Sequence, residues 1–288
     1  MTILIADSGS TKTAWSVIET SSKTNTCIFT QGINPFQQTE EEIGGILQHE
    51  LIPNIVQRTL IDIDAIHFYG AGCTKEKAPI VAAALRRIIS STGRIFVESD
   101  MLGAARGLCG HNHGIVCILG TGSNSCYYDG KDITANVSPL GYILGDEGSG
   151  AYIGKRLVGD ILKRQFPKEI RDAFFDETHE TAATIIQKVY REQLPNRFLA
   201  SLSPFCARLR QHPAMNAFLI DCFTQFFKRN IDLYPSLVSK GDFGTVNFIG
   251  SIAYYYKDEI IAAASACGYK IGKILQSPLE GLIDYHTA

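Results

Sequence analysis

The 288-residue chain lacks the features that usually accompany binding to nucleic acid or to a membrane. Its longest basic run is the pair Arg86–Arg87 and its formal net charge is −2, so the basic surface of a nucleic-acid-binding protein is missing. No apolar segment approaches the roughly 18 residues of a membrane-spanning helix, and no basic stretch precedes the first apolar residues, unlike in a secretory signal. We therefore expect a cytoplasmic globular protein without nucleic-acid or membrane partners.

Cysteine occurs eight times, but never in the Cys-x-x-Cys spacing typical of metal and redox sites. Most of the cysteines lie in apolar segments such as "GIVCILG" and "IDCFTQFF", where a thiol behaves as a small hydrophobic side chain. We interpret them as buried thiols rather than as metal ligands or disulfide partners.

Two common nucleotide-binding signatures are also missing. Lys12 in "GSTKT" lacks the preceding glycine spacing of a P-loop, and no Gly-x-Gly-x-x-Gly opens a helix after the first predicted strand. The sequence thus disfavours P-loop and dinucleotide-binding folds and leaves other modes of nucleotide binding open.

The order of predicted elements indicates an α/β fold. Three segments rich in β-branched and aromatic residues, 2–7, 13–19 and 26–32, predict an antiparallel meander. Thr39, with Glu42 three residues later, forms a capping box that begins a helix over "TEEEIGGILQHELIPNIVQRTL", and strands such as "RIFVES" then alternate with helices. That alternation predicts strands added in parallel to the sheet, and the length of the chain favours two domains.

The opening pattern recurs at residue 114. The segment "GIVCILGTGSNSCYYDG" again contains an apolar strand, a loop of small residues and a second strand, and "ITANVS" can supply a third. Placed by register, Ser8-Gly9-Ser10 lies over Thr121-Gly122-Ser123. Such an internal duplication predicts two lobes built on one plan, with a cleft to which each lobe contributes a loop.

The loop after the first predicted strand, "DSGST", has the chemistry of a phosphate site. Turns of Gly, Ser and Thr expose consecutive backbone N–H groups that suit phosphate oxygens. Asp7 alone would repel phosphate, so a divalent cation, usually partly hydrated Mg²⁺, is expected between them. An ordinary hairpin turn explains the same residues, but the second loop, Gly120–Ser123, favours the phosphate interpretation.

A series of short motifs gives the chain a specific resemblance. "ADSGSTKT", "GINPF", "ESD", "GTGSN", "GDEGSG" and "IGS" follow one another along it. This series resembles the acetate kinase, sugar kinase, heat-shock-70 and actin superfamily, and within it the BadF/BadG/BcrA/BcrD-type ATPases, in the branch that includes N-acetylglucosamine kinase. The resemblance covers almost the whole chain. It implies a two-lobed, actin-like α/β fold related to ribonuclease H, with duplicated βββαβα units and a central cleft.

The resemblance also implies a domain organisation. Residues 1–109 would form the N-terminal lobe and residues 110–278 the C-terminal lobe. Helices at about 166–235 would be an insertion in the second lobe, and residues from about 279 to 288 would return to the first. Actin-like kinases often dimerise, so a homodimer is one expected assembly.

Specific site residues follow from the matched motifs. Asp100 of "ESDMLGAA" matches the aspartate that faces the acceptor hydroxyl, where a carboxylate can act as general base. Asn34 of "GINPF" and Asp146 of "GDEGS" match residues that contact the sugar, with Gly141 and Tyr142 lining the same pocket. The positions matched to nucleotide binding, with Mg²⁺ held through water by Asp7, are Asp7, Gly9, Ser10, Thr11, Lys12, Gly120, Thr121, Gly122, Ser123, Gly250 and Ser251.

Simpler roles stay open for several of these residues. Asp100 and Asp146 stand where helix-capping aspartates are common, and Asn34 before Pro35 suits a turn. The run "SPLGYILGDEG" also departs from the Gly-Trp-Gly-His-like run of the kinases, which leaves recognition of the sugar's substituent open.

The sequence therefore predicts an ATP-dependent kinase, with ATP and Mg²⁺ as cofactors, that transfers the γ-phosphoryl group to a hydroxyl of N-acetylglucosamine or a related amino sugar. One alternative is the ATPase activator of a radical 2-hydroxyacyl-CoA dehydratase, with a [4Fe–4S] cluster on cysteines such as Cys109 and Cys126. The other is a non-catalytic sugar sensor. Both rank lower, because an activator has no use for Asn34, Asp100 and Asp146 and because the chain has no helix-turn-helix segment.

Overall fold

The computed structural model describes residues 1–9, 11–20, 24–56, 63–89, 93–237 and 244–287. The chain divides into two compact units. The first comprises Met1–Asn112, Gly130–Ile133 and Ser277–Ala288, and the second comprises His113–Asp129 and Thr134–Gln276. Within the described ranges no helix is both long enough and apolar enough to cross a membrane.

The described residues form ten strands and fifteen α-helices. The strands are β1 (Thr2–Ser8), β2 (Lys12–Glu19), β3 (Thr24–Gln31), β4 (Ala65–Gly70), β5 (Arg94–Ser99), β6 (Gly114–Leu119), β7 (Ser123–Tyr128), β8 (Ile133–Val137), β9 (Val246–Ile249) and β10 (Ile271–Leu275). The helices are α1 (Glu40–Ile46), α2 (Ile52–Val56), α3 (Ala78–Ile88), α4 (Asp100–Cys109), α5 (Gly141–Leu144), α6 (Gly150–Leu162), α7 (Lys168–Thr178), α8 (Ala182–Tyr190), α9 (Pro195–Ser201), α10 (Ser203–Arg208), α11 (Pro213–Arg229), α12 (Tyr234–Leu237), α13 (Ser251–Tyr255), α14 (Lys257–Ala266) and α15 (Leu279–Thr287). A π-helical turn, Leu47–Leu51, joins α1 to α2, and a 3-10 turn, Ile231–Leu233, precedes α12.

The sheet of the first unit has the order β3-β2-β1-β4-β5. β1, β2 and β3 pair antiparallel, whereas β4 and β5 are parallel additions beside β1. The predicted meander and the parallel additions are both confirmed. Even-numbered residues of β1, such as Leu4, face a core that includes Trp15 and Phe68, while Ile3 and Ile5 pack on the opposite face against Leu282 of α15, as the two-residue period of a strand requires.

The sheet of the second unit repeats this plan. Its order is β10-β9-β6-β7-β8, with β6 and β7 antiparallel and with β9 and β10 parallel additions beside β6. The predicted duplication is confirmed, but the predicted register of the two loops is wrong. β1 ends at Ser8 and β6 ends at Leu119, so Ser8 corresponds to Leu119 rather than to Thr121.

Candidate active site

The carboxyl ends of three parallel strands meet at one edge of the first sheet. Ser8 of β1 pairs with Gly70 of β4, and Gly70 pairs with Ser99 of β5. Asp7 therefore lies one residue before this edge and Asp100 lies one residue beyond it. We call this part of the first unit the carboxylate edge.

Asp7 is a partly desolvated carboxylate. Its side chain follows Ile3 and Ile5 on the face of β1 that α15 covers, and its Oδ2 accepts a hydrogen bond from Ser277 Oγ at 3.1 Å. Burial raises the pKa of Asp7 to about 6, the Ser277 hydrogen bond opposes that rise, and the nearby charge of Asp100 adds to it. A carboxylate in this setting favours a ligand that brings positive charge.

Asp100 is the first residue of α4 and not its cap. The N-cap is Ser99, whose Oγ accepts from the backbone N–H of Leu102 at 3.2 Å, so the capping alternative for Asp100 is wrong. Asp100 Oδ1 accepts from Met101 N–H at 2.8 Å, and its Oδ2 accepts from no other residue that the structure describes. Burial raises the pKa of Asp100 against the opposing effect of the Met101 N–H and of its own N–H, which suits a group that accepts a proton.

Asn34 lies in a loop that the end of β1 anchors. The buried hydroxyl of Ser8 bonds both the carbonyl and the N–H of Ile33 at 3.0 Å. Asn34 Oδ1 accepts from Phe36 N–H at 2.9 Å, which is the predicted turn role, while its Nδ2 donates to no other described residue. A Cβ on Gly72, which has φ +78°, would stand 2.3 Å from Asn34 Oδ1, so this glycine makes room for the amide.

The first loop is only partly described, because Ser10 lies outside the described residues. Gly9 N–H donates to Lys12 carbonyl at 3.0 Å, which closes the turn, and Thr11 is exposed. Lys12 Nζ sits 3.6 Å from the centre of the Phe29 ring. Arg106 of α4, a cation in the same unit, donates to Tyr69 Oη at 2.9 Å.

The second loop turns its carbonyls towards α6. Gly120 carbonyl accepts from Gly150 N–H at 2.8 Å, and Thr121 carbonyl accepts from Ala151 N–H at 3.0 Å. The N–H groups of Thr121 and Gly122 find no acceptor within the described residues. Two adjacent open donors of this kind form an anion-binding concavity.

Asp146 packs against this second loop. It has a left-handed φ of 55°, its Oδ1 accepts from Ser123 N–H at 3.2 Å, and a Cβ on Gly122 would lie 3.1 Å from its Oδ2. Burial raises the pKa of Asp146 while Ser123 N–H lowers it. The capping alternative fails here too, because Ser149 caps α6 by accepting from Tyr152 N–H at 3.1 Å.

Gly250 brings the turn after β9 onto the end of β6. Its φ is +113°, and a Cβ there would stand 2.4 Å from the carbonyl oxygen of Leu119. Ser251, the first residue of α13, is exposed. Within the second unit, the predicted residues of the Gly250 turn and of the Gly120 loop thus lie beside one another.

Gly141 and Tyr142 begin α5, a single turn that precedes Asp146. Gly141 has φ +73°, and Tyr142 carbonyl accepts from Lys155 Nζ at 2.7 Å. Sequence reasoning did not identify Lys155, Ser277 or Gly72, and it placed Ser8 in the first loop without predicting its contact with Ile33. Their contacts join residues that are distant in the chain, so a local sequence pattern does not reveal them. Glycine and serine are common in turns, which is the one local indication that the sequence offers for Gly72, Ser8 and Ser277.

The residues at the carboxylate edge fit Mg²⁺ held mainly by phosphate and water. No group of three or more His, Cys, Asp and Glu side chains able to cage a metal occurs in the ranges that the structure describes. Asp7 offers carboxylate oxygens with the charge of Asp100 nearby. Mg²⁺ is typically bound by one or two carboxylates, waters and substrate phosphates.

The chain is similar to named sugar kinases, although no family model matches it. A protein from Porphyromonas gingivalis, provisionally named N-acetylglucosamine kinase, has a crystal structure that is 47% identical in sequence, with a TM-score of 0.91 over 99% of this chain and 98% of that one. The N-acetylmuramic acid/N-acetylglucosamine kinase of Clostridium acetobutylicum is 28% identical over 209 residues, which cover 68% of this chain and 67% of that protein.

A more distant structure shares the fold. It comes from Chromobacterium violaceum, is also provisionally named N-acetylglucosamine kinase, and is 17% identical, with a TM-score of 0.74 over 99% of this chain and 98% of that one. The fold is thus retained where most of the sequence differs.

Proposed function

Because the chain belongs to the N-acetylglucosamine kinase family and is an ATP-dependent sugar kinase, we propose that its acceptor is N-acetylglucosamine or a closely related amino sugar. The relative from Porphyromonas gingivalis is named for N-acetylglucosamine, and the one from Clostridium acetobutylicum is named for both N-acetylglucosamine and N-acetylmuramic acid. The proposed acceptor group is a free hydroxyl of an N-acetylated hexosamine, which the transfer converts to a phosphate ester.

The observation that carries this proposal is the open oxygen of Asp100 at the carboxylate edge. Phosphoryl transfer needs little covalent help from the protein, so catalysis depends on aligning the acceptor oxygen and stabilising charge. Asp100 Oδ2 orients the sugar hydroxyl and takes its proton as the phosphorus–oxygen bond forms. The raised pKa of Asp100 brings its basicity closer to the operating pH, where a general base is most effective.

The remaining site residues divide between sugar and nucleotide. Asn34, with its Nδ2 open, together with Asp146, Gly141 and Tyr142, is assigned to the sugar. The nucleotide contacts are assigned to Asp7, Gly9, Ser10, Thr11, Lys12, Gly120, Thr121, Gly122, Ser123, Gly250 and Ser251. Mg²⁺ would offset the negative charge of the phosphates, with Asp7 holding it through water.

The activator alternative has less support. A cluster shared between two subunits needs cysteines at the surface, whereas Cys126 is fully buried in β7 and Cys109 is half-buried at the end of α4. A cytoplasmic location, where ATP is available, and a homodimer belong to the proposal as well. Light scattering of the purified protein tests the dimer.

A coupled assay of ADP release tests the proposed acceptor. The panel holds hexoses, N-acetylhexosamines and N-acetylmuramic acid, each with and without Mg²⁺. We expect Mg²⁺-dependent turnover that is highest with N-acetylglucosamine or N-acetylmuramic acid. Asp176→Asn, at an exposed position of α7, is the control for Asp100→Asn. Steady ADP release that is independent of any sugar would contradict the proposal and favour an ATPase activator.

A further inference from the structure

The segment of residues 139–146, here called the acceptor turn, has an unusual backbone. Asp146 N–H donates to Pro139 carbonyl at 2.8 Å and closes it, and Gly145 N–H donates to Gly141 carbonyl at 2.8 Å inside it. Leu140, Gly141 and Asp146 all have left-handed φ values, 61°, 73° and 55°. Left-handed backbone at a non-glycine residue persists only where the surroundings hold it, so something must fix this turn.

Packing alone does not fix it. No residue of α5 is fully buried, and the aliphatic side chains of Leu140, Ile143 and Leu144 are 60–69% exposed. Of the α5 side chains, Tyr142 contacts the core of the second unit while partly buried. The aliphatic side chains of the turn are therefore largely exposed to solvent.

Lys155 of α6 binds carbonyl groups of the acceptor turn. Its Nζ donates to Tyr142 carbonyl at 2.7 Å and to Ile143 carbonyl at 3.4 Å. These are carbonyls of α5 without a helical partner, which a cation satisfies well. Burial lowers the pKa of Lys155, while the charges of Glu147 and Asp146 raise it. The ammonium thus lies near Asp146 as well as against the turn.

Lys155 is not the ion-pair partner of Glu147. Glu147 already forms an ion pair with Arg229 at 2.7 Å and accepts from Asn230 Nδ2 at 3.4 Å. Among the described residues, no hydrogen bond or ion pair joins Lys155 to Glu147 or Asp146, so the two backbone carbonyls are its hydrogen-bond partners.

We propose that Lys155 is a positioning residue for the sugar acceptor: by holding the carbonyls of Tyr142 and Ile143, it fixes the acceptor turn and thereby the orientation of Asp146. This inference rests on the proposed role of Asp146 in binding the sugar. Lys155 does not contact the reacting atoms. Its removal should therefore weaken binding of the acceptor more than binding of ATP.

Lys155→Met, which keeps the length of the side chain and removes the ammonium, tests the inference. A hydrogen bond from a charged group is worth roughly a tenfold change or more in an equilibrium, so we expect the KM for the sugar to rise about tenfold, the KM for ATP to stay within about twofold, and kcat to fall less than the sugar affinity does. Lys155→Arg keeps the charge and the donors and should restore most of the affinity. Lys163→Met, at the exposed end of the same helix, is the matched control and should behave as the native protein.

Hydrogen exchange gives a readout that is independent of the sugar. The amide groups of Gly145 and Asp146 should exchange about tenfold faster in Lys155→Met than in Lys163→Met, because the hydrogen bonds that close the turn open more often. Unchanged exchange would show that Lys155 does not fix the acceptor turn. Faster exchange with an unchanged KM for every sugar that the native protein phosphorylates would overturn the positioning role. A native protein that phosphorylates no sugar would refute the proposed function, whereas the exchange experiment would still decide whether Lys155 holds the turn. If Lys155→Met does not fold, Lys155→Arg decides. Exchange of Gly145 and Asp146 as slow in Lys155→Arg as in the native protein supports the inference that the charge at position 155 fixes the acceptor turn, and exchange about tenfold faster refutes it.

Discussion

His67→Phe should make the protein less sensitive to acid. His67 of β4 lies between two rings, with its centre 4.9 Å from that of Phe96 and 3.7 Å from that of His286 on α15. Burial, together with the charge of Arg106, lowers the pKa of His67 to about 4, and burial with the charges of His67 and Arg106 lowers that of His286 to about 3. A phenyl ring can keep the stacking and cannot take a proton.

The expected size follows from linkage. His67 has an ordinary pKa of 6.5 when exposed. At pH values between 6.5 and about 4, this histidine is therefore protonated in the unfolded chain and neutral in the folded protein. Stability from His67 is complete above pH 6.5 and is lost as the pH falls towards its folded pKa. At a pH about 1.5 units below 6.5, each such histidine lowers the free energy of unfolding by roughly 2 kcal/mol, because one pH unit corresponds to about 1.4 kcal/mol.

The pH dependence of the free energy of unfolding contains contributions of opposite sign. The pKa of Asp7 is raised to about 6 from 3.8, so the folded protein binds that proton first, and Asp7 favours folding as the pH falls through this range. Comparing His67→Phe with the native protein removes the contribution of Asp7, because both proteins contain it. The difference between them therefore reports His67, together with the part of the His286 pKa shift that the charge of His67 causes.

Urea denaturation at about pH 8 and about pH 5 measures this difference. The free energy of unfolding should fall by roughly 2 kcal/mol less in His67→Phe than in the native protein. His49→Phe, at an exposed position, is the control and should show the native loss. Equal losses in His67→Phe and the native protein would refute the assignment of His67 as a partly buried, neutral ring.

Three further outcomes test the site. Asp100→Asn should lower kcat by about 10²–10⁴-fold with nearly native nucleotide affinity in equilibrium binding, and normal turnover would remove Asp100 from the mechanism. Asp7→Ala should weaken binding of Mg·ATP and leave sugar binding unchanged in calorimetry; an unchanged nucleotide affinity would contradict the role of the first loop. Gly250→Ala should destabilise the protein by about 1–3 kcal/mol in urea denaturation, because its Cβ would meet Leu119 carbonyl at 2.4 Å. Gly159→Ala, inside α6 with no atom within 4 Å of the added Cβ, should not destabilise it, and equal effects of the two substitutions would contradict the steric argument.

The sequence predicted the elements whose signals are local. The capping box of Thr39 and Glu42 begins α1, and "RIFVES" coincides with β5. Prediction was weaker after α1, where one continuous helix was expected. A π-helical turn, Leu47–Leu51, interrupts it just before Pro53, whose ring and missing N–H disturb a regular helix. The end of that predicted helix lies outside the described residues.

The candidate site likewise contains residues that local motifs indicate and residues that they do not. Asp7, Asp100 and Asp146 carry motif signals, so their neighbourhoods could be predicted, yet the residues that hold them could not. Ser277 meets Asp7 across 270 positions of sequence, and no local pattern records such a contact. The caps went to Ser99 and Ser149 because serine, one place before the first helical residue in each case, can accept a bond from the second or third N–H of the helix.

The carboxylate edge is arranged for a ligand and not for stability. Asp7 and Asp100 are both desolvated, and the charge of one raises the pKa of the other. Among the described residues their offsetting partners are a hydroxyl, that of Ser277, and backbone N–H groups, while no basic side chain forms an ion pair with either. Two carboxylates in this setting disfavour the folded protein at neutral pH, and the cost is recovered only when something positive binds. Under the proposed function, a nucleotide that arrives with Mg²⁺ would supply that charge at Asp7 and leave Asp100 Oδ2 to the sugar. The same edge would then bind the phosphate donor through one acid and accept a proton from the sugar through the other.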